Sequence, residues 1–140
     1  MVPLRLVLDT NILVSAALNA EGLPRTVFLL AITKPARLYV SAPVLEEYKE
    51  VLSRKELGIR KGLRQQFLQL IRNRAHMVTP KKRINSAHDP EDDKFLECAD
   101  AARADYLITG NERHFPKYWK STKIIGAREF VDFAGRHLIE

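Results

Sequence analysis

Four acidic side chains, far apart along the chain, occupy positions that could bring their oxygens to one place: Asp9, Glu47, Asp89 and Asp92. Asp9 directly follows the apolar run Leu4-Arg5-Leu6-Val7-Leu8 and precedes Thr10-Asn11. A run so short and so apolar reads as a strand buried on both faces. Open α/β sheets bind ligands in the crevice outside the carboxyl ends of such strands. The alternative is that Asp9 merely caps the helix that follows. Glu47 falls in a helix predicted over residues 43–54, where Val44, Leu45, Tyr48, Val51 and Leu52 form one stripe. At about 100° per residue, Glu46 and Glu50 point to solvent while Glu47 sits at the edge of the stripe. An acid there is costly unless a positive charge meets it, and a salt bridge to a nearby cation would also serve.

The densest acidic cluster is His88-Asp89-Pro90-Glu91-Asp92-Asp93-Lys94, followed by Phe95-Leu96-Glu97-Cys98-Ala99. The helix dipole favours negative charge at a helix start but explains only one or two of these acids. Phe95, Leu96, Ala99 and Ala102 define the buried stripe, so Asp92 projects onto it while Asp93 and Glu97 project away. Asp92 is therefore the acid aimed at the sheet. Asp89 is close enough to support it, as N-cap or as a water-mediated ligand, and Asp93 could assist. A second buried strand, Tyr106-Leu107-Ile108, also ends in polar residues, Thr109-Gly110-Asn111. Thr109 and Asn111, with Asn11 beside Asp9, are supporting candidates that could position water or phosphate.

Carboxylates from these elements, meeting at one sheet edge, would repel one another and could not all stay ionised without a cation. All-oxygen ligation suits Mg²⁺ or Mn²⁺, whereas the Cys/His sets typical of zinc are missing. A hard cation held by carboxylates beside a basic surface is an arrangement for phosphodiester hydrolysis, since it activates water and neutralises developing charge. The basic surface is visible. Residues 54–83 carry Arg54, Lys55, Arg60, Lys61, Arg64, Arg72, Arg74, Lys81, Lys82 and Arg83 against a single acid, Glu56. Within it Leu63, Phe67, Leu70 and Ile71 mark an amphipathic helix. Such a stretch is often only a solvated face, but it concentrates most of the excess charge and could contact phosphates.

The elements needed to position these groups follow from the rest of the pattern. Strands are predicted at residues 4–8, 37–40, 106–108 and 123–125, with a short one at Met77-Val78. Helices are predicted from Asn11 to Leu18, from Pro24 to Thr33, over 43–54 with Ser41 as N-cap, through the basic stretch, after Asp92, and from Ala127 to His137. The last has Phe130, Val131, Ala134 and Leu138 inward, and residues 112–119 read as a loop. Strands alternating with helices give an α/β fold, a central mainly parallel sheet between two helical layers. The 140 residues, 46% apolar and 29% charged, make one globular domain. A net charge of +6 points to a polyanionic partner. One cysteine, Cys98, excludes an internal disulfide and reads as a packing residue. With neither a membrane-spanning run nor a signal-peptide layout, the expected location is the cytoplasm.

In order and spacing, Val7-Leu8-Asp9-Thr10-Asn11-Ile12-Leu13, Glu47-Tyr48, Asp89-Pro90-Glu91-Asp92-Asp93-Lys94-Phe95-Leu96 and Leu107-Ile108-Thr109-Gly110-Asn111 together resemble the PIN-domain family, over nearly the whole chain. The resemblance is strongest to its prokaryotic toxin-type, VapC-like branch. It implies a three-layer α/β/α fold and Mg²⁺- or Mn²⁺-dependent cleavage of single-stranded RNA. It also implies an antitoxin partner and a homodimer. It assigns the catalytic, metal-holding role to Asp9, Glu47 and Asp92, with Asp89 as a further metal candidate. Arg54, Lys55, Arg60, Lys61 and Arg64 then become the expected RNA contacts. The family often has an aspartate where this chain has Asn111, which leaves open a weakened enzyme that only binds RNA or an antitoxin. A phosphotransfer domain using Asp9 as nucleophile is a poorer match, because the second aspartate expected two residues on is replaced by Asn11.

Overall fold

The computed structural model describes residues 3–87 and 89–137; His88 of the acidic cluster and Leu138, expected on the inner face of the last helix, lie outside them. The described residues form a sheet of β1 (Arg5–Leu8), β2 (Arg37–Val40), β3 (His76–Met77), β4 (Tyr106–Ile108), β5 (Tyr118–Trp119) and β6 (Thr122–Ile125). The helices are α1 (Thr10–Leu18), α2 (Leu23–Ala31), α3 (Ala42–Leu52), α4 (Lys61–Arg74), α5 (Asp93–Ala102) and α6 (Ala127–His137).

Successive residues of a strand face opposite sides of the sheet. Leu6, Val7 and Leu8 are nevertheless all fully buried, so helices must cover both faces of β1. α5 packs on β1, β2 and β4, while α1 packs with α2 and α3, and α2 with α6. The result is the expected three-layer α/β/α arrangement. Across the sheet the order is β3-β2-β1-β4-β6-β5, and every pairing is parallel except that of β5 with β6.

Two features of the topology place the site. From β1 the chain first builds outward to β2 and β3 on one side, then returns to lay β4 on the other. The gap between β1 and β4 is thus the point where the strand order reverses, the usual ligand crevice of an open α/β sheet. In addition, Leu8 pairs with Ile108 in register. The next residues, Asp9 and Thr109, emerge level with each other at the carboxyl edge.

Several local expectations change. Arg5, the one charged residue in the β1 run, donates Nη1–H to the Ala102 carbonyl at 3.0 Å, with its guanidinium 5.5 Å from the Tyr39 ring centre. The segment read as a loop contains β5, which pairs antiparallel with β6, and β3 begins one residue earlier than the pattern suggested. Cys98 is fully buried beneath β2, and burial pushes its thiol up to about 12, consistent with packing and not with nucleophilic chemistry.

Candidate active site

Asp9 occupies the position before α1, yet its side chain makes no capping bond to that helix. Its backbone N–H donates to the Ile108 carbonyl at 2.9 Å, which holds the residue against the end of β4. Its Oδ2 accepts a hydrogen bond from Thr109 Oγ1 at 2.6 Å. The carboxylate is 6% exposed. Burial is the main reason its pKa rises to about 6; the Thr109 hydrogen bond opposes that rise, and the charges of Asp92 and Glu47 add to it. The carboxylate therefore points into a field made by other acids, and a capping role does not account for it.

Glu47 arrives on α3, which starts cleanly because Ser41 caps it by accepting from the Val44 N–H and Pro43 sits in its first turn. Val44, Tyr48 and Leu52 are buried along one face, Glu46 and Glu50 are exposed, and Glu47 lies between, as its register required. Glu50 turns outward to a bidentate pair with Arg54. Glu47 turns inward: Thr10 Oγ1 donates to its Oε2, and Lys94 Nζ lies 2.8 Å from its Oε1. The alternative of a salt bridge at Glu47 is thus realised within the site itself.

Asp92 ends a short 3-10 turn, Pro90–Asp92, and leads into α5 without a capping bond of its own. Burial raises its pKa, and so do Asp89 and Glu47, while His114 lowers it. His114 Nδ1 stands 3.4 Å from Asp92 Oδ2. Asp89 caps the turn by accepting from the Glu91 N–H at 3.0 Å, and its charge is felt at Asp92. Asp93 and Glu97, expected to face solvent, do not. Asp93 is buried and accepts from the Ser86 and Ala87 amides at 3.2 and 2.9 Å, and Glu97 accepts from the Ile84 amide at 3.0 Å. The loop before the cluster folds back over α5 and supplies donors for them, which a helical projection of α5 alone cannot reveal. Asp93 fastens that loop to the start of α5.

The polar residues at the strand ends act on one another. Thr109 is fully buried; its hydroxyl donates to Asp9 and accepts from the Asn111 N–H at 2.9 Å. It positions Asp9. Asn11 Oδ1 accepts from the Gly110 N–H at 3.0 Å and ties α1 to the end of β4. Asn111 is exposed beside these groups.

At the reversal point of the sheet the charges of Asp92 and Glu47 thus reach Asp9, and those of Asp89 and Glu47 reach Asp92. Among the described residues, no three His, Cys, Asp or Glu side chains are already gathered as a cage for an ion. Each of the three central carboxylates faces a partner: Thr109 for Asp9, Thr10 and Lys94 for Glu47, His114 for Asp92. The donor set still fits a hard divalent cation, being all oxygen and carrying more negative charge than Lys94 offsets. Thr10, Lys94 and His114 were not singled out from sequence. Thr10 and Lys94 adjoin or nearly adjoin the predicted acids, a usable signal; His114 comes from a segment with no periodic pattern.

Of the expected phosphate contacts, Arg54 shares a hollow with Glu47, Glu50, Glu91 and Lys94. Lys55, Arg60 and Lys61 are exposed between α3 and the start of α4, and Arg64 is half-buried on α4; none of these four lines that hollow.

Comparison with known proteins agrees with this fold. A family model described as PIN domain matches residues 5–113. An uncharacterized protein of Methanocaldococcus jannaschii is 27% identical over 94% of this chain and 92% of its own. Among solved structures, VapBC2 from Rickettsia felis bound to a DNA fragment from its promoter is similar with a TM-score of 0.58 and 18% identity, over 88% of this chain and 98% of that one. DNA-bound VapBC from Salmonella typhimurium gives a TM-score of 0.55 and 16% identity, over 89% and 98%.

Proposed function

The chain belongs to the PIN-domain family, and from that membership we propose that it is a metal-dependent endoribonuclease acting on single-stranded RNA, the toxin of a toxin–antitoxin pair. The observation that carries the reading is the burial of Asp9 at the carboxyl edge between β1 and β4, tied to Ile108 and Thr109 and within reach of the charges of Asp92 and Glu47. Asp9, Glu47 and Asp92 would hold Mg²⁺ or Mn²⁺, with Asp89 as an outer contributor. The bound ion would supply an activated water and neutralise charge on the phosphate.

The chain's own residues prepare that chemistry. Thr109 fixes the rotamer of Asp9 through a buried hydrogen bond, and Thr10 fixes Glu47. Lys94 balances the charge of Glu47. At neutral pH Asp9 is mostly ionised, as a ligand must be, though burial and its acidic neighbours keep that state costly. The net charge of +6 favours a polyanionic substrate. Likeness to two VapBC assemblies supports an antitoxin partner, and we extend the reading to a cytoplasmic homodimer. No described helix is long and apolar enough to cross a membrane.

The test is cleavage of a single-stranded RNA with Mg²⁺ or Mn²⁺ by the wild type, Asp9→Asn and Asp92→Asn. Each substitution should lower the rate by about a hundredfold or more while the fold persists. Undiminished cleavage by Asp9→Asn, or cleavage indifferent to chelator, would overturn the proposal. Asn111 at the strand end favours one second reading, a binding module with a weakened site. RNA retained without cleavage under both ions would select it.

A further inference from the structure

Three hollows lie in succession on the surface, each sharing lining residues with the next. The first, about 420 Å³, holds Glu47 and is bounded by Pro43. The second, about 600 Å³, begins at Pro43 and runs along Met77–Arg83. The third, about 520 Å³, shares Thr79, Lys81 and Lys82 with the second and ends at Arg103, Trp119 and Lys120.

Charge changes along this course. The first hollow is acidic, with Glu46, Glu47, Glu50 and Glu91 against Arg54 and Lys94. Beyond Pro43 the lining becomes basic: Lys81, Lys82 and Arg83, then Arg103 and Lys120. The two acids there are already engaged. Glu97 accepts from the Ile84 amide, and Asp100 accepts from Trp119 Nε1 at 3.1 Å and pairs with Lys120 at 3.1 Å. Lys81, Lys82 and Arg83 are exposed, yet the chain just after them is fastened: Ile84 is buried, and Asp93 holds the Ser86 and Ala87 amides. Cations mounted on an anchored segment lose less freedom on binding than cations on a loose one.

We infer that a single-stranded RNA, engaged near Glu47, continues past Pro43 along the Lys81-Lys82-Arg83 segment toward Lys120. This lane, more than the Arg60–Arg64 region, supplies the grip on its phosphates. The inference rests on the nuclease reading for the identity of the strand. It also gives a physical reason for the lane: a catalytic end crowded with carboxylates repels a polyanion, so affinity has to come from further along.

The experiment measures fluorescence anisotropy of a labelled single-stranded RNA 12-mer over a salt series, with every protein carrying Asp92→Asn to prevent cleavage. The triple variant Lys81→Ala/Lys82→Ala/Arg83→Ala should bind about tenfold or more weakly, with a salt slope shallower by about two to three. Lys120→Ala should lower the slope by about one, while Arg60→Ala/Lys61→Ala should change little. Thermal melts confirm that the surface variants fold. Unchanged affinity in the triple variant would overturn the lane and leave its charge to an acidic protein partner. The outcomes separate cleanly from those of the nuclease reading: a wild type that never cleaves, but whose RNA binding depends on Lys81–Arg83, keeps the lane and loses the enzyme.

Discussion

The Tyr48 hydroxyl donates to the Leu8 carbonyl at 2.5 Å, joining a fully buried side chain of α3 to the last residue of β1. The neighbours of this pair are Glu47 and Asp9. One buried bond thereby fixes the spacing of two candidate ligands contributed by residues adjoining a contact that spans 40 positions of the chain. Tyr48→Phe should leave the Leu8 carbonyl short of a donor and lower unfolding stability in urea by about 1–3 kcal/mol. It should also weaken Mn²⁺ binding measured by calorimetry. A variant with lower stability but unaltered ion affinity would show that the bond serves only the fold.

Asp9 gives a pH dependence with a definite sign. Its pKa is about 6 in the folded protein against an ordinary value of 3.8. Between those values the folded state keeps a proton that the unfolded chain has released, so this group's contribution to stability falls as pH rises through the window. Its full effect at neutral pH is a destabilisation of order 3 kcal/mol. In the absence of divalent ions, Asp9→Asn should melt at a higher temperature than wild type at pH 7.5, and the difference should close toward pH 4. Parallel melting curves across that range would refute the assignment.

Lys94 stands 2.8 Å from Glu47 and 3.7 Å from Glu91, where its ammonium balances charge that a divalent ion would otherwise balance. Lys94→Met should therefore tighten Mn²⁺ binding several-fold by calorimetry while lowering stability in chelator. Weaker ion binding would instead make Lys94 a residue that holds Glu47 in its working orientation.

Much of this arrangement could be read from sequence because it depends on local periodicity. The β1 run, the stripe of α3 and the polar stops after Leu8 and Ile108 are each set by a few adjacent residues. The place of Glu47 at the edge of the buried stripe follows from the helical repeat. What stayed hidden depends on segments that meet in space. Asp93 and Glu97 were placed in solvent because a helix wheel knows nothing of the loop at residues 84–87 that covers them. Arg5 found a carbonyl and a tyrosine ring brought by α5 and β2, and His114 reached Asp92 from a stretch without pattern.

The covered acids make a separate prediction. Asp93→Ala removes the acceptor for two backbone amides. It should cost about 1–3 kcal/mol, and trypsin should cut faster at Lys81, Lys82 and Arg83 under native conditions. Unaltered cleavage kinetics there would mean that Asp93 does not fasten the loop.

The contact between Thr109 and Asp9 spans 100 positions of the chain. A polypeptide still emerging from the ribosome with only β1 and α3 formed would carry Asp9 and Glu47 but neither Asp92 nor the threonine that orients Asp9. Pairing at such separation forms late. The candidate site therefore stays incomplete until translation has passed β4, and any activity it carries waits on the last third of the chain.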